Sequence, residues 1–367
     1  MGAASSQQDS PLRGAMSYPH DERMRKTGRR KLVLRKKAHS YPSSNATPTP
    51  YSPTPVQRLE QIQPSRHDEH SVSPKLRQRA AAVRDFAAVS AQNSRYRRKM
   101  EDVCVAIPQF QLLDGDVAST SFFGVYDGHG GDFCARYAAE NLHTRLAASI
   151  KQRMNHRRRM ADDDILTDED ITHGLAQAFE TVDHELARFD EAAESGSTAV
   201  ACLVRQVHGR TTFYIANVGD SRAILFSNGA TSRLSVDHKA TNEDEARRIR
   251  ARNGIILNKR VGGVLSVTRA LGQSDEKELI TADPHLSSGR VEVDGAFLML
   301  VSDGVSDIYS DEELTQFVSR RLQLGEKAST ICSTLLDEAK VRGAVDNMTA
   351  VLVCFSDVLP GSEQRRR

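Results

Sequence analysis

Residues 121–131 read SFFGVYDGHGG, an apolar run of strand character that ends on Asp127 and then opens into glycines around one histidine. Aromatic and β-branched residues favour a half-buried pleated surface, and an Asp-Gly pair ends such a run as turns do. Gly128 has a chemical reason to stand there. Without a Cβ its backbone comes close enough for the carbonyl to ligate a metal. His129, flanked by Gly128, Gly130 and Gly131, has little side-chain packing beside it. An imidazole in that setting, with an intrinsic pKa near working pH, is suited to donate a proton.

Moving outward, the same ending recurs. The run 214–218 leads into Gly219-Asp220, the run 297–302 into Asp303, and Asp346 stands just ahead of a last apolar run at 349–355. A single Asp-Gly after a strand is usually only a turn. Several on facing sheets converge, and clustered carboxylates repel unless cations neutralise them. Oxygen-only ligands suit Mg2+ or Mn2+ rather than zinc. Upstream, 97–102 (RRKMED) sets an arginine fork fit for a phosphate beside Glu101, which can complete a metal shell.

Further strands are expected at 199–204, 212–218 and 223–226, with Asn228-Gly229 as a hairpin turn. Helices are expected at 171–189, 242–252, 311–323 and 327–342. The clearest helix carries Cys134, Ala138, Leu142, Leu146 and Ile150 on one stripe. Thr241 with Asp244 has capping-box form, and Asn253-Gly254 supplies a stop. Residues 153–170, basic then acidic, read as a solvated loop. Strands follow one another without a helix after each, which disfavours a parallel sheet and favours α+β architecture, antiparallel sheets covered by helices.

Nine of the twelve prolines fall in residues 1–74, a stretch rich in Ser, Thr, Gln, Arg and His that is read as disordered. Residues 1–40 hold ten Lys or Arg against three acids, so the net charge of +2 belongs to this tail, not to the domain. The expected organisation is a tail at 1–80, a domain at 81–357 and a short basic C-terminal tail at 358–367. Five scattered cysteines with no CxxC pair and no signal peptide predict free thiols and a cytoplasmic setting. The start Met1-Gly2-Ala3-Ala4-Ser5-Ser6 fits the N-myristoylation pattern, and Arg29, Arg30, Lys31, Arg35, Lys36 and Lys37 can add attraction to an anionic leaflet, so a peripheral membrane location is expected. The rival reading of that cluster is nuclear targeting or nucleic-acid contact, which is not the expectation. The Ser/Thr-Pro repeat at 47–55 suits either proline-directed phosphorylation or a polyproline-like spacer.

Taken in order, 97–102 (RRKMED), 125–131 (VYDGHGG), 195–200 (SGSTAV), 217–222 (NVGDSR), 237–240 (DHKA), 265–272 (LSVTRALG), 302–307 (SDGVSD) and 346–349 (DNMT) resemble the motif series of the PP2C-type, or PPM, metal-dependent serine/threonine phosphatases. The resemblance implies an αββα sandwich and a site with two Mn2+ or Mg2+ ions. It implies that Asp127 bridges the ions, that Asp303 and Asp346 complete one shell, and that Glu101 and the Gly128 carbonyl serve the other. Arg97 matches the phosphate-binding arginine and Asp220 the ligand of a weaker third ion. The sequence departs from the series at Gln273, where Asp is usual, at Ser306, where an aromatic is common, and at Arg95, where Gly is frequent.

The implied reaction is hydrolysis of phosphoserine and phosphothreonine in protein substrates by direct attack of metal-bridging hydroxide, with Arg97 neutralising the phosphoryl group and His129 protonating the leaving oxygen. No cysteine has Arg six positions on, so the cysteine-phosphatase loop is absent. Asp114-Gly115-Asp116 offers an aspartyl-nucleophile alternative but sits in a polar turn. A different class of function, a phosphoprotein-binding scaffold without turnover, is the remaining alternative.

Overall fold

The structure, a computed structural model, describes residues 82–116, 118–161 and 165–356. The expectations for the N-terminal tail, its lipid and phosphorylation motifs and the C-terminal tail lie outside these residues. The described chain opens with β1 (Val83–Ala91), β2 (Asp102–Ile107) and β3 (Ser119–His129), followed by α1 (Phe133–Ala161) and α2 (Asp168–Leu186). Next come β4 (Gly196–Ser197), β5 (Ala199–Val207), β6 (Arg210–Val218), β7 (Arg222–Ser227) and β8 (Ala230–Arg233). A smaller excursion holds α3 (Glu243–Ala251), β9 (Ile256–Leu257), β10 (Arg260–Val261) and β11 (Leu271–Gly272). The chain then closes with β12 (His285–Val291), β13 (Phe297–Val301), α4 (Asp303–Ser306), α5 (Asp311–Gln323), α6 (Ala328–Val341) and β14 (Met348–Phe355).

Two large antiparallel sheets result, besides the small pair of β9 and β10. One is ordered β1-β14-β13-β7-β8; the other runs β11-β4-β3-β5-β6-β12, with β2 also paired to β3. Neighbouring strand residues point to opposite faces, so a strand with apolar residues at every position must be covered on both. Phe122 accordingly packs with Leu142, Leu146, Leu175 and Phe179 of α1 and α2, while Phe123 faces the other sheet beside Val200, Ile215, Leu300 and Val351. On the second sheet Leu352 and Met299 pack under α5 and α6. Helices therefore cover both outer faces and the sheets pack on each other, which gives the expected α+β sandwich in four layers. The α1 stripe of Cys134, Ala138, Leu142, Leu146 and Ile150 is completely buried.

Three expectations change. Residues 153–161 are not loop but the last turns of α1. The charges there find partners across the helix pair: Asp170 is only 1% exposed, accepts from Arg153 Nε at 2.7 Å, and also pairs with Arg157. Asn242, not Thr241, caps α3, because its side chain accepts from the Asp244 and Glu245 amides. Strands β1, β2 and β12 were not expected. β1 mixes Arg84, Asp85 and Ser90 among alanines, so its apolar alternation is faint, yet it pairs with β14 along its length. The Asn228-Gly229 turn is present with both residues at positive φ, joining β7 to β8. All five cysteines are free. Among the described residues no helix is long and apolar enough to cross a membrane.

Candidate active site

The sheets bring the acid-ended segments to one place. β2 runs antiparallel to β3 with Asp102 opposite Asp127, which lays the 97–102 segment beside Asp127, Gly128 and His129. The Glu101 carbonyl accepts from the Gly128 amide at 3.2 Å. A Cβ on Gly128 would lie 2.6 Å from that carbonyl and 3.0 Å from the Gly131 oxygen, so no other residue fits. On the other side the Glu101 amide donates to Asn347 Oδ1 at 2.8 Å, and Asn347 Nδ2 donates to the carbonyls of Gln92 and Lys99. Asn347 thereby ties the Glu101 loop to its neighbour Asp346, ahead of β14. Asp303 begins α4 immediately after β13, and Asp220 lies in the turn between β6 and β7.

Asp127 feels all of this charge. Burial raises its carboxyl well above the ordinary range, and Asp102, Asp303, Asp220 and Asp346 push in the same direction. Asp303 is raised to about 7, by burial first and then by Asp220, Asp346 and Asp307, with Lys239 acting against them. Two cations already answer part of the charge: Arg97 pairs with Asp346, and Lys239 Nζ lies 3.0 Å from Asp220. Among the described residues no three His, Cys, Asp or Glu side chains are drawn together into a ready metal shell. The donor set nevertheless fits hard divalent ions. It is all oxygen, it is concentrated enough to oppose its own ionisation, and Gly128 leaves its backbone open to close approach. Glu101 joins through its backbone position; Asp127, Asp303, Asp346 and Asp220 join through charge.

His129 ends β3, and its Nε2 lies 3.1 Å from Gln273 Oε1. Burial holds this imidazole below its ordinary pKa, with the Gln273 bond acting the other way. Of the other departures, Ser306 ends the short α4, and Arg95 stacks over the Tyr96 ring at 5.3 Å.

Sequence reasoning missed Asp102. It is buried, accepts from the hydroxyls of Ser302 and Thr349 at 2.8 Å each, and is pushed up to about 6, mainly by burial. It joins β2 of one sheet to Ser302, just past β13, and to Thr349 of β14 in the other, beneath the carboxylates. Its signal was present in the second acid of RRKMED. Lys239, inside DHKA, and Asn347, inside DNMT, were quoted without a role.

The family Protein phosphatase 2C matches residues 86–348. Human Protein phosphatase 1B is 31% identical over 282 residues, covering 73% of this chain and 57% of that protein. Human Protein phosphatase 1A is 32% identical over 274 residues, covering 71% of this chain and 68% of that protein. A solved Caenorhabditis elegans sex determining protein superposes with a TM-score of 0.63 at 26% identity, covering 77% of this chain and 66% of that one. With a matched span that runs through both sheets and takes in Asp102, Asp127, Asp220, Asp303 and Asp346, the chain belongs to the protein phosphatase 2C family.

Proposed function

We propose that the chain is a protein serine/threonine phosphatase acting on phosphoserine and phosphothreonine. The observation that carries this is the convergence of Asp102, Asp220, Asp303 and Asp346 on Asp127, which feels each of them as a like charge, with Arg97 paired to Asp346 and His129 two residues beyond Asp127 on β3. Mn2+ or Mg2+, two ions and a weaker third at Asp220, would be held by Glu101, Asp127, the Gly128 carbonyl, Asp303, Asp346 and Asp220. Divalent ions supply such a site with an activated water and neutralise phosphoryl charge. The chain's own residues do the rest. Arg97, paired with Asp346 and exposed, would offer its fork to a phosphate, a bidentate match. His129 holds a proton for the departing alkoxide.

Turnover of a phosphothreonine peptide that requires Mn2+ or Mg2+ and stops with EDTA supports this; turnover surviving EDTA defeats it. His129→Ala is expected to slow the peptide by roughly 10²-fold or more, the usual worth of general-acid help. It should slow p-nitrophenyl phosphate far less, since nitrophenolate leaves without a proton. The scaffold alternative predicts peptide binding without turnover and is not favoured, because Arg97, Glu101, Asp127, His129, Asp303 and Asp346 are all present. Membrane association through Gly2 belongs to the same proposal, supported by the Met1–Ser6 pattern and the basic cluster. Gly2→Ala is expected to move the full chain from the membrane to the soluble fraction with phosphatase activity intact; an unchanged distribution removes the lipid anchor.

A further inference from the structure

We propose that Gln273 is a positioning residue: its side-chain amide fixes the His129 imidazole in one tautomer and one orientation for proton transfer. This rests on His129 as the proton donor. Gln273 follows β11 with φ 54, in the left-handed region, and is 5% exposed. A non-glycine residue there is uncommon, and burying a primary amide is unfavourable unless its groups are bonded. Each of them is. The backbone amide donates to the Ser195 carbonyl at 2.7 Å, side-chain Nε2 donates to the Glu194 carbonyl at 3.3 Å, and Oε1 faces His129 Nε2 at 3.1 Å.

The direction of the last bond follows from the second. A backbone carbonyl only accepts, so the Gln273 NH2 group must point to Glu194 and its oxygen to the imidazole. His129 Nε2 therefore carries hydrogen before and after the reaction, and Nδ1 is the nitrogen that takes a proton from solvent and passes it to the leaving oxygen, which returns the ring to its neutral Nε2–H form. An amide oxygen cannot take that hydrogen away, so the assignment persists through the reaction.

The surroundings leave the ring little freedom. β3 pairs with β4 so that His129 lies opposite Gly196, and β4 pairs with β11 so that Gly196 lies opposite Gly272. The imidazole rests on the bare face of Gly196, where a Cβ would come within 2.6 Å of Nε2. Gly272 lies hard against its neighbours too, since a Cβ there would meet Cys134 Sγ at 2.4 Å and the Ser195 carbonyl at 2.9 Å. Gln273 is thus delivered to His129 by a three-strand strip packed at glycine distance.

The test uses the full chain with Mn2+, a phosphothreonine peptide and p-nitrophenyl phosphate, and the nitrogen NMR shifts of the neutral His129 ring. Gln273→Met keeps the length of the side chain and removes both of its bonds. Gln273→Gly suits the left-handed backbone and guards against misfolding. Each is expected to lower kcat on the peptide by roughly tenfold or more at nearly constant KM, as misplacement of a reacting group does. The nitrophenyl ester is expected to be barely affected, the His129 ring to lose its pure Nε2–H tautomer, and Gln273→Met to add no loss on top of His129→Ala. An unchanged tautomer, equal losses on both substrates, or a further loss beyond His129→Ala overturns the proposal. Should His129→Ala itself slow both substrates alike, the general-acid assignment fails, and the ring's tautomer still decides whether Gln273 positions it.

Discussion

Asp127 sits where burial and four neighbouring carboxylates all oppose its ionisation. A group held so has been placed for something other than stability. Asp127→Asn keeps the shape and removes the charge, so stability and activity should move in opposite directions. Without divalent ions the variant is expected to be more stable than the parent by about 1 kcal/mol, because one repelling charge is gone. Turnover with Mn2+ is expected to fall by roughly 10²-fold or more, since even the outer partners of metal ligands are worth up to that. Asp303→Asn should behave alike, its carboxyl being raised by burial and by Asp220 and Asp346. Paired thermal melts and peptide assays check both, and a variant that loses stability and activity together would assign these residues to the fold. Asp220 differs because Lys239 already answers its charge. Asp220→Ala is expected to change the metal-concentration dependence of turnover while the primary ions still bind, which calorimetry with Mn2+ reads directly.

The α1–α2 pair shows what an element-level charge network does. Asp170 is buried at the first turn of α2, where it completes a capping box with Thr167 and joins Arg153 and Arg157 of α1. Burial alone would raise its pKa; the bonds from Thr167 and Arg153 and the charge of Arg157 outweigh it and hold the carboxyl below its ordinary value. Its contribution is therefore complete above the unfolded carboxylate pKa of about 3.9 and is lost as pH falls below that. Asp170→Asn removes the buried carboxylate that Arg153 and Arg157 share and is expected to destabilise the domain by about 3 kcal/mol at pH 7. The gap to the parent should close only in acid, and peptide turnover at low temperature should be unchanged; a gap that stays constant down to pH 3 would rule out the ionised clamp. This network was illegible in the sequence because its two halves, read along the chain, are only a basic run and an acidic run. Pairing across helices has no local signature. The carboxylate site was more legible, because Asp127, Asp220 and Asp303 each end a strand and strand ends are marked by local composition. Asp102 and Gln273 were missed as site residues for the same reason as the clamp: their roles lie in Ser302, Thr349 and His129, far away in sequence.

At the scale of the molecule, the site stands where two sheets meet. Asp127 comes from the seven-stranded sheet, Asp303 and Asp346 from segments flanking strands of the five-stranded one, and Asp220 from the turn between them. Ions bound there join the sheets at the end where like charges would otherwise press them apart, while the apolar layer of Phe123, Val200, Ile215, Leu300 and Val351 holds them together elsewhere. Binding to the folded state alone stabilises it by about 2.7 kcal/mol at one hundred times Kd. For a domain of this size each kcal/mol moves the melting midpoint by roughly 2–4 °C. Saturating Mn2+ or Mg2+ is therefore expected to raise the midpoint of the full chain by about 5–10 °C, reversibly with EDTA, on the same two figures. Asp127→Asn and Asp303→Asn should start from a higher metal-free midpoint and gain much less, so the two melting curves converge as ion is added. Asp220→Ala should keep most of the gain, and Asp170→Asn, whose clamp lies behind the outer helices, should keep all of it from a lower start. A midpoint indifferent to millimolar Mn2+ would mean that these carboxylates do not hold ions, and would remove the basis for metal-dependent hydrolysis without any appeal to activity.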